Sequence, residues 1–372
     1  MQQWVWQQAD WPNFVWSDEQ IEPVLHEAET QLQALLSMAG VLADEDMLLD
    51  TLLQNVLSSS AIENEFLNAE SVRSSLAKRL DLPTNSPVSD RSEGVAQLMM
   101  DVVDNVNAEL TLDRLCQWHS WLFPVSAYGV TKLRVGQLRG DDPMQVISGR
   151  LDRPVVHFEA PPKVQLDADL DVFLNWFDHS EKDKRLRPLV RVALVHFWFI
   201  TLHPFDDGNG RLSRALTDLA LGQAYANSTR LLSLSLSVLN NRKGYYQVLE
   251  SCQKSNLDIS VWVLWFLDSV LKSIQYAQQQ IERSVFKTRF WKQHMHHGLG
   301  AEQIKVLNRL LEGGEKGFEL GISASQYQKV AKVSKATATR HLSDLVKREC
   351  LEKLPGGGRS TRYQIKGMML SK

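Results

Sequence analysis

At 372 residues the chain is long enough for two or three domains, and 44% hydrophobic with 23% charged residues is the composition of an ordinary soluble globular protein. The longest apolar stretch, Val190 to Leu202, is too short to cross a bilayer and contains Arg191 and His196. The start, Met-Gln-Gln-Trp-Val-Trp-Gln-Gln, lacks the basic and apolar regions of a signal peptide. Three widely spaced cysteines (Cys116, Cys252, Cys350) suit reduced thiols, so the expected location is the cytoplasm, away from the membrane.

Residues 1–88 read as a helical N-terminal domain behind a tryptophan-rich start at Trp4, Trp6, Trp11 and Trp16, aromatics expected to pack on a core. Leu52, Leu53, Val56, Leu57 and Ile62 fall on one apolar helix face, leaving Glu63 near the helix end and able to reach an arginine. Leu82-Pro-Thr-Asn-Ser-Pro-Val is a loop leading to residues 89–290, where long helical patterns dominate. Their interruption at Met144–Gly149 and Pro154–Phe158 reads as a β-hairpin turned by Gly149-Arg150-Leu151-Asp152-Arg153. Val190–Leu202 is expected to be a buried helix, stopped by Pro204, that delivers His203.

The run His203-Pro-Phe-Asp-Asp-Gly-Asn-Gly-Arg-Leu-Ser-Arg214 carries the most chemistry. His203 suits proton abstraction from a hydroxyl near neutrality. Asp207 offers the hard oxygen preferred by Mg²⁺, which takes one or two carboxylates beside substrate phosphates. Gly208-Asn209-Gly210 lets backbone N–H groups turn toward an anion, and a helix beginning at Arg211 adds its dipole. Arg211 and Arg214 can grip phosphate oxygens in bidentate fashion. Walker-type and strand–GxGxxG patterns are missing from the chain, which argues against a P-loop or a dinucleotide fold.

The C-terminal part changes character. His294-Met-His-His-Gly-Leu-Gly reads as a linker whose histidines are exposed rather than metal-bound. Residues 300–372 hold 14 Lys and Arg against 7 Asp and Glu, while the whole chain stands at −3. Two short helices flank a turn near Ser334, and a Gly-rich tip joins two strand-like runs between Leu351 and Ile365. This part resembles a winged helix–turn–helix of the bacterial regulator type. That resemblance puts Lys335, Thr337, Thr339 and Arg340 in the major groove of DNA and Arg359 and Arg362 on phosphates; protein docking or dimerisation is the alternative use.

The loop string resembles the Fic signature HPFx[D/E]GNGRxxR and matches it at every specified position. The resemblance implies a mainly α fold, the Fic helical core with a β-hairpin flap, here followed by the winged helix–turn–helix of residues 300–372. It implies transfer of AMP from ATP to a Ser, Thr or Tyr hydroxyl of a target protein, with His203 as general base and Asp207 holding Mg²⁺. Asn209 and the Gly208–Gly210 backbone become the anion hole, Arg211, Leu212, Ser213 and Arg214 complete the ATP cradle, and Phe205 anchors the loop. Gly210, where phosphorylating relatives tend to carry Lys, favours AMP. Val146, Ile147, Ser148 and Gly149 become flap contacts to nucleotide, and the region from Tyr245 to Gln253 closes over adenine; many relatives carry Asn where Gln253 stands.

Ser59-Ser-Ala-Ile-Glu63-Asn64 fits the [S/T]xxxE[G/N] inhibitory motif of that family. The resemblance pairs Glu63 with Arg214, occupying the group needed for the γ-phosphate and holding ATP unproductively. Three alternatives stay open: AMP removal, transfer of another nucleotidyl group such as UMP, and a DNA-binding regulator whose Fic core senses nucleotide. The target protein and a homo-oligomeric state are not legible.

Overall fold

The computed structural model describes residues 3–42, 45–84, 86–124, 133–150, 153–226, 228, 231–313, 318, 320–356 and 361–367. Two compact units result, Met1–Ala277 and Gln278–Lys372, with the division falling inside a long helix, Ser260–His294. Among the described residues no helix is long and apolar enough to cross a membrane.

The first unit is mostly helical, and its described helices are α1 (Asp18–Leu42), α2 (Glu45–Ile62), α3 (Ala69–Arg79), α4 (Asp90–Asp104) and α5 (Leu112–Leu122). After the hairpin come α6 (Lys163–Ser180), α7 (Pro188–Leu202), α8 (Asn209–Ala224), α9 (Leu234–Asn240), α10 (Arg242–Gln253) and the first part of α11 (Ser260–His294). Pro188 opens α7, where its missing N–H costs nothing, and every residue from Leu189 to Leu202 is buried. Arg191 and His196, buried within this stretch, are both hydrogen-bonded. Arg191 donates to Ser180 Oγ and to the carbonyl of Phe177, and His196 meets Thr217 Oγ1 and Tyr245 Oη, each at 2.8 Å.

Helix α2 departs from a plain apolar face. Leu52, Val56 and Ile62 are buried and Leu53 and Leu57 half-buried, but Asn55, Ser58 and Ser60 are buried beside them. Asn55 explains why: its amide donates to Asp218 Oδ2 (2.6 Å), and its oxygen accepts from Ser233 Oγ and the Ser235 N–H (both 3.3 Å). One buried side chain thereby joins α2, α8 and the start of α9 with its polar groups paired.

Strands β1 (Gln145–Arg150) and β2 (Arg153–Glu159) form the expected antiparallel hairpin, with an irregular register between Val146 and Ile147. The turn residues Leu151 and Asp152 lie outside the described residues. The outer strand β1 is exposed along its whole length, whereas β2 is held from behind. Trp4 packs edge-on against Phe158 at 5.5 Å, and Trp6 Nε1 donates to the Glu159 carbonyl. Trp11 instead packs against Trp198 of α7.

In the second unit α11 runs on to His294, and a 3₁₀ turn, Met295–His297, follows it. The expected linker is therefore an ordered helix end, and His294 is buried rather than exposed. Helices α12 (Ala301–Leu311), α13 (Ala324–Ala331) and α14 (Lys335–Lys347) precede an antiparallel pair, β3 (Leu351–Lys353) and β4 (Tyr363–Ile365), and Ile322 bridges to Tyr363. Val306, Leu307, Tyr327, Leu342, Leu345 and Ile365 form its core. Ser323 and Ser334 cap α13 and α14 by accepting from Gln326 N and Thr337 N.

Candidate active site

The loop is shaped first by its backbone. His203 ends α7 in the left-handed region (φ 50°), and Gly208 precedes α8 at φ 81°. A Cβ on Gly208 would lie 2.8 Å from Phe123 Cε2, so the close ring and the positive φ both demand glycine. Between these points Phe205 is fully buried, stacked at 4.4 Å on the imidazole of His119. His119 accepts from the Gly136 N–H at Nδ1, which makes Nε2 the donor to the Asp207 carbonyl (3.2 Å). Arg139, also buried, donates from Nε to the His203 carbonyl (2.8 Å) and from a terminal nitrogen to that of Pro161. Neither His119 nor Arg139 belongs to a motif, so the sequence carried no signal for these two supports.

Asn209 is committed within the loop. Its side chain accepts from Phe205 N (3.0 Å) and donates to Phe205 O (2.8 Å), so it braces the turn instead of presenting its amide to a ligand. Helix α8 begins at Asn209, two residues before the expected start. The helix N-terminus therefore falls within the glycine turn.

His203 is half-buried, and its Nδ1 lies 3.1 Å from the Ile200 carbonyl, an acceptor only, so Nδ1 carries the proton. Among the described residues Nε2 makes no hydrogen bond. Burial lowers the imidazole pKa to about 4 against the partial support of that carbonyl, so the ring is neutral at physiological pH. Asp207 is exposed, and its Oδ1 accepts from Gly208 N (2.6 Å). An exposed carboxylate beside a helix N-terminus fits a Mg²⁺ ion that takes its remaining ligands from phosphates and water.

Both arginines are buried and engaged by carboxylates from the segment after α2. Arg214 donates from Nη2 to Glu63 Oε1 (2.7 Å) and to the Ser59 carbonyl (2.9 Å), and from Nε to Ser59 Oγ (2.9 Å). Its Nη1 is buried without a hydrogen-bond partner among the described residues. Burial alone would raise the Glu63 carboxyl, but the charge and hydrogen bond of Arg214 overcome it and hold the pKa below the usual carboxylate range. Arg211 pairs with Glu65, lies over the Phe123 ring at 4.8 Å, and shares Glu65 with Arg91. Glu65 was missed although it stands two residues beyond Glu63. Gly210 sits against this knot: a Cβ there would come within 2.3 Å of Glu63 Oε1.

The remaining candidates divide. Leu212 and Ser213 are fully buried, and Ser213 Oγ donates to the His196 carbonyl, so their side chains serve the core. Tyr245 and Gln253, expected over an adenine ring, are buried instead: Tyr245 bonds His196, and Gln253 donates to Thr201 Oγ1. Their places on the inward face of α10 explain the difference, and the neighbouring Tyr246 reaches the site, its hydroxyl 3.2 Å from Glu63 Oε2. In the hairpin Val146, Ile147, Ser148 and Gly149 are exposed, Gly149 at φ 90°. Ser148 Oγ, His157 and Glu250 of α10 form a hydrogen-bonded chain that ties the hairpin to the helical body.

In the second unit Lys335, Thr339 and Arg340 are exposed on α14. Thr337 is half-buried in the cap, its Oγ1 bonded to Ser334, and Thr339 Oγ1 donates back to the Lys335 carbonyl. Arg362 is half-buried, and its Nη1 donates to the Gly321 carbonyl (2.8 Å). Arg359 lies outside the described residues.

A family model described as Fic/DOC family matches residues 109–221, and one described as a domain of unknown function (DUF4172) matches residues 4–82. The chain is similar to a protein adenylyltransferase Fic of Drosophila mojavensis, 28% identical over 133 residues covering 32% of this chain and 26% of that protein. It is also similar to a uridine 5'-monophosphate transferase of Xanthomonas campestris, 29% identical over 127 residues, 31% of this chain and 21% of the relative. The chain thus spans about a quarter of the length of the curated relatives it matches. A crystal structure of a Fic family protein from Desulfovibrio desulfuricans superposes with a TM-score of 0.53 at 18% identity, covering 93% of this chain and 97% of that one. The mostly helical architecture is therefore the Fic helical fold.

Proposed function

We propose that this chain, which belongs to the Fic family, is a self-inhibited transferase that moves AMP from ATP to a hydroxyl side chain of a target protein. The observation that carries the reading is the state of His203: a neutral ring, Nδ1 committed to Ile200, and Nε2 open as a proton acceptor. In the reaction the target hydroxyl loses its proton to Nε2 as its oxygen bonds to the α-phosphorus. The bond from that phosphorus to the bridging oxygen breaks, and pyrophosphate leaves. N–H groups at the start of α8 and Arg214 Nη1 supply donors to the phosphates. Asp207 would hold Mg²⁺, which supplies charge neutralisation to the phosphates when bound. The exposed edge of β1 suits strand addition by an extended target segment.

Glu63 is the brake in this reading, since its ion pair occupies the arginine that a γ-phosphate would use. Glu65 acts in parallel on Arg211. The working parts are taken as residues 1–88 with the inhibitory helix, 89–290 as the catalytic core and 300–372 as a winged helix. A DNA-docking role for the last part is supported by Lys335 and Arg340, exposed and without an ion-pair partner among the described residues.

The test is labelling of the full chain with α-³²P-ATP and Mg²⁺, comparing wild type, Glu63→Gly and Glu63→Gly/His203→Ala. Label that rises in the single variant and vanishes in the double supports transfer, brake and base together. A parallel arm with α-³²P-UTP addresses the base, because Tyr245 and Gln253 leave the nucleobase without a legible reader. Loss of preformed label would indicate the reverse reaction. Binding of ATP without label from either nucleotide would favour a nucleotide-sensing regulator.

A further inference from the structure

The end of α11 holds a cluster that the transfer reaction does not use. His294 closes the helix and His297 closes the 3₁₀ turn after it, so their spacing of three places both rings on one side. Cys350 arrives from the other end of the unit. Glu349 takes a left-handed backbone (φ 59°) just after α14, which turns Cys350 inward at the start of β3. Cys350 is fully buried, His294 is 3% exposed and His297 half-buried.

The two histidine Nδ1 atoms are 3.3 Å apart and Cys350 Sγ is 3.5 Å from His294 Nδ1, and one ligand atom from each of the three residues lies within 4.8 Å of the other two. Tetrahedral zinc with its usual bonds to imidazole and thiolate has N···N edges of about 3.3 Å and N···S edges of about 3.6 Å. Both close separations match those edges. Hydrogen bonding satisfies the cluster less well: His294 Nδ1 faces two partners with at most one proton of its own, and one partner is a thiol, a weak donor. A single cation satisfies all three atoms together.

We propose that His294, His297 and Cys350 form a Zn²⁺ site that clamps the end of α11 to the start of β3. The ligand set is nitrogen and sulfur, which selects a borderline-soft divalent ion over Mg²⁺ or Ca²⁺. The supports around it are already placed. Arg348 donates to the His297 carbonyl, and Cys350 is held on both sides by backbone bonds, its N–H to Leu345 O (2.9 Å) and its carbonyl from Lys366 N (3.2 Å). Three protein ligands leave the fourth corner to water or to the adjacent Glu349 carboxylate, which otherwise pairs with Lys366.

The test titrates Co²⁺, a spectroscopic substitute for Zn²⁺, into the metal-free full chain. The expected result is one equivalent bound, a thiolate-to-cobalt charge-transfer band and tetrahedral d–d bands, all abolished by one equivalent of Zn²⁺. Cys350→Ala should remove the charge-transfer band, whereas Cys116→Ser and Cys252→Ser should keep it. His297→Asn, at a half-buried position that tolerates change, should weaken Co²⁺ binding by more than the roughly 10–100-fold that loss of an outer-shell partner costs. Absence of a thiolate band in the wild type overturns the site. So does a band that survives His297→Asn at unchanged affinity, or one that disappears with Cys116 or Cys252 instead. If Cys350→Ala fails to fold, His297→Asn decides alone.

Discussion

The start of α8 and the start of α14 both present basic side chains near a helix N-terminus, and the two are finished in opposite ways. Arg211 and Arg214 are buried, and each is held by a carboxylate from the segment after α2. Lys335 and Arg340 are exposed, with no ion pair among the described residues. A buried guanidinium needs an internal anion or a bound one, whereas an exposed cation is screened and stays available to an outside partner. In the proposed function the first helix exchanges an internal anion for a nucleotide, and the second meets an external polyanion.

The largest expected effect breaks or upholds the chemistry of the first helix. In the Glu63→Gly background, His203→Ala should lower transfer by roughly 10²–10⁴-fold, the range for a general base. Because burial lowers His203 to about 4, its neutral form persists across the physiological range. The rate of Glu63→Gly should then stay level from about pH 5 to 8 and fall only as pH approaches about 4; a limb near the ordinary histidine value of about 6.5 would contradict the lowered value.

Glu65→Ala should cost about 3–5 kcal/mol of stability in urea unfolding, because it strips Arg211 of its buried partner. Arg340→Ala should change stability by less than about 0.5 kcal/mol. Equal costs would erase the contrast between the two helices.

Behind Arg214 lies a buried carboxyl, Asp218, which burial pushes up to about 7 despite the hydrogen bond from Asn55. A folded-state value above the unfolded one means that stability is greatest at low pH and falls as pH rises from about 4 to about 7. Asp218→Asn should flatten that fall and stabilise the protein at neutral pH by a few kcal/mol, roughly, as measured by unfolding at several pH values. The smallest effect tests α14: Arg340→Ala should weaken DNA binding and reduce its salt slope by about 1, and an unchanged slope would remove α14 from the interface.

How far each region could be read in advance follows from how its residues are distributed. His203, Asp207 and the glycine turn lie in one run whose chemistry depends mainly on local backbone geometry, and the expected α7 emerged with every residue from Leu189 to Leu202 buried. The hairpin was legible for the same reason, since alternation and turn residues are local signals. Tyr245 and Gln253 were misplaced because adjacent residues on a helix point to different faces, and which face meets the core is a matter of packing. His119 and Arg139 were invisible, being single residues brought to the loop across 88 and 64 positions.

The amino-acid sequence by itself determined the helical class, the resemblance to the Fic signature and the loop that carries His203, because short-range periodicity and a contiguous motif are set by neighbouring residues. Tertiary structure decided that Glu65 meets Arg211, that Asn209 braces the loop, and that His294, His297 and Cys350 come together. Those outcomes depend on distances between segments far apart in the chain, which packing of buried surfaces sets and local propensity does not.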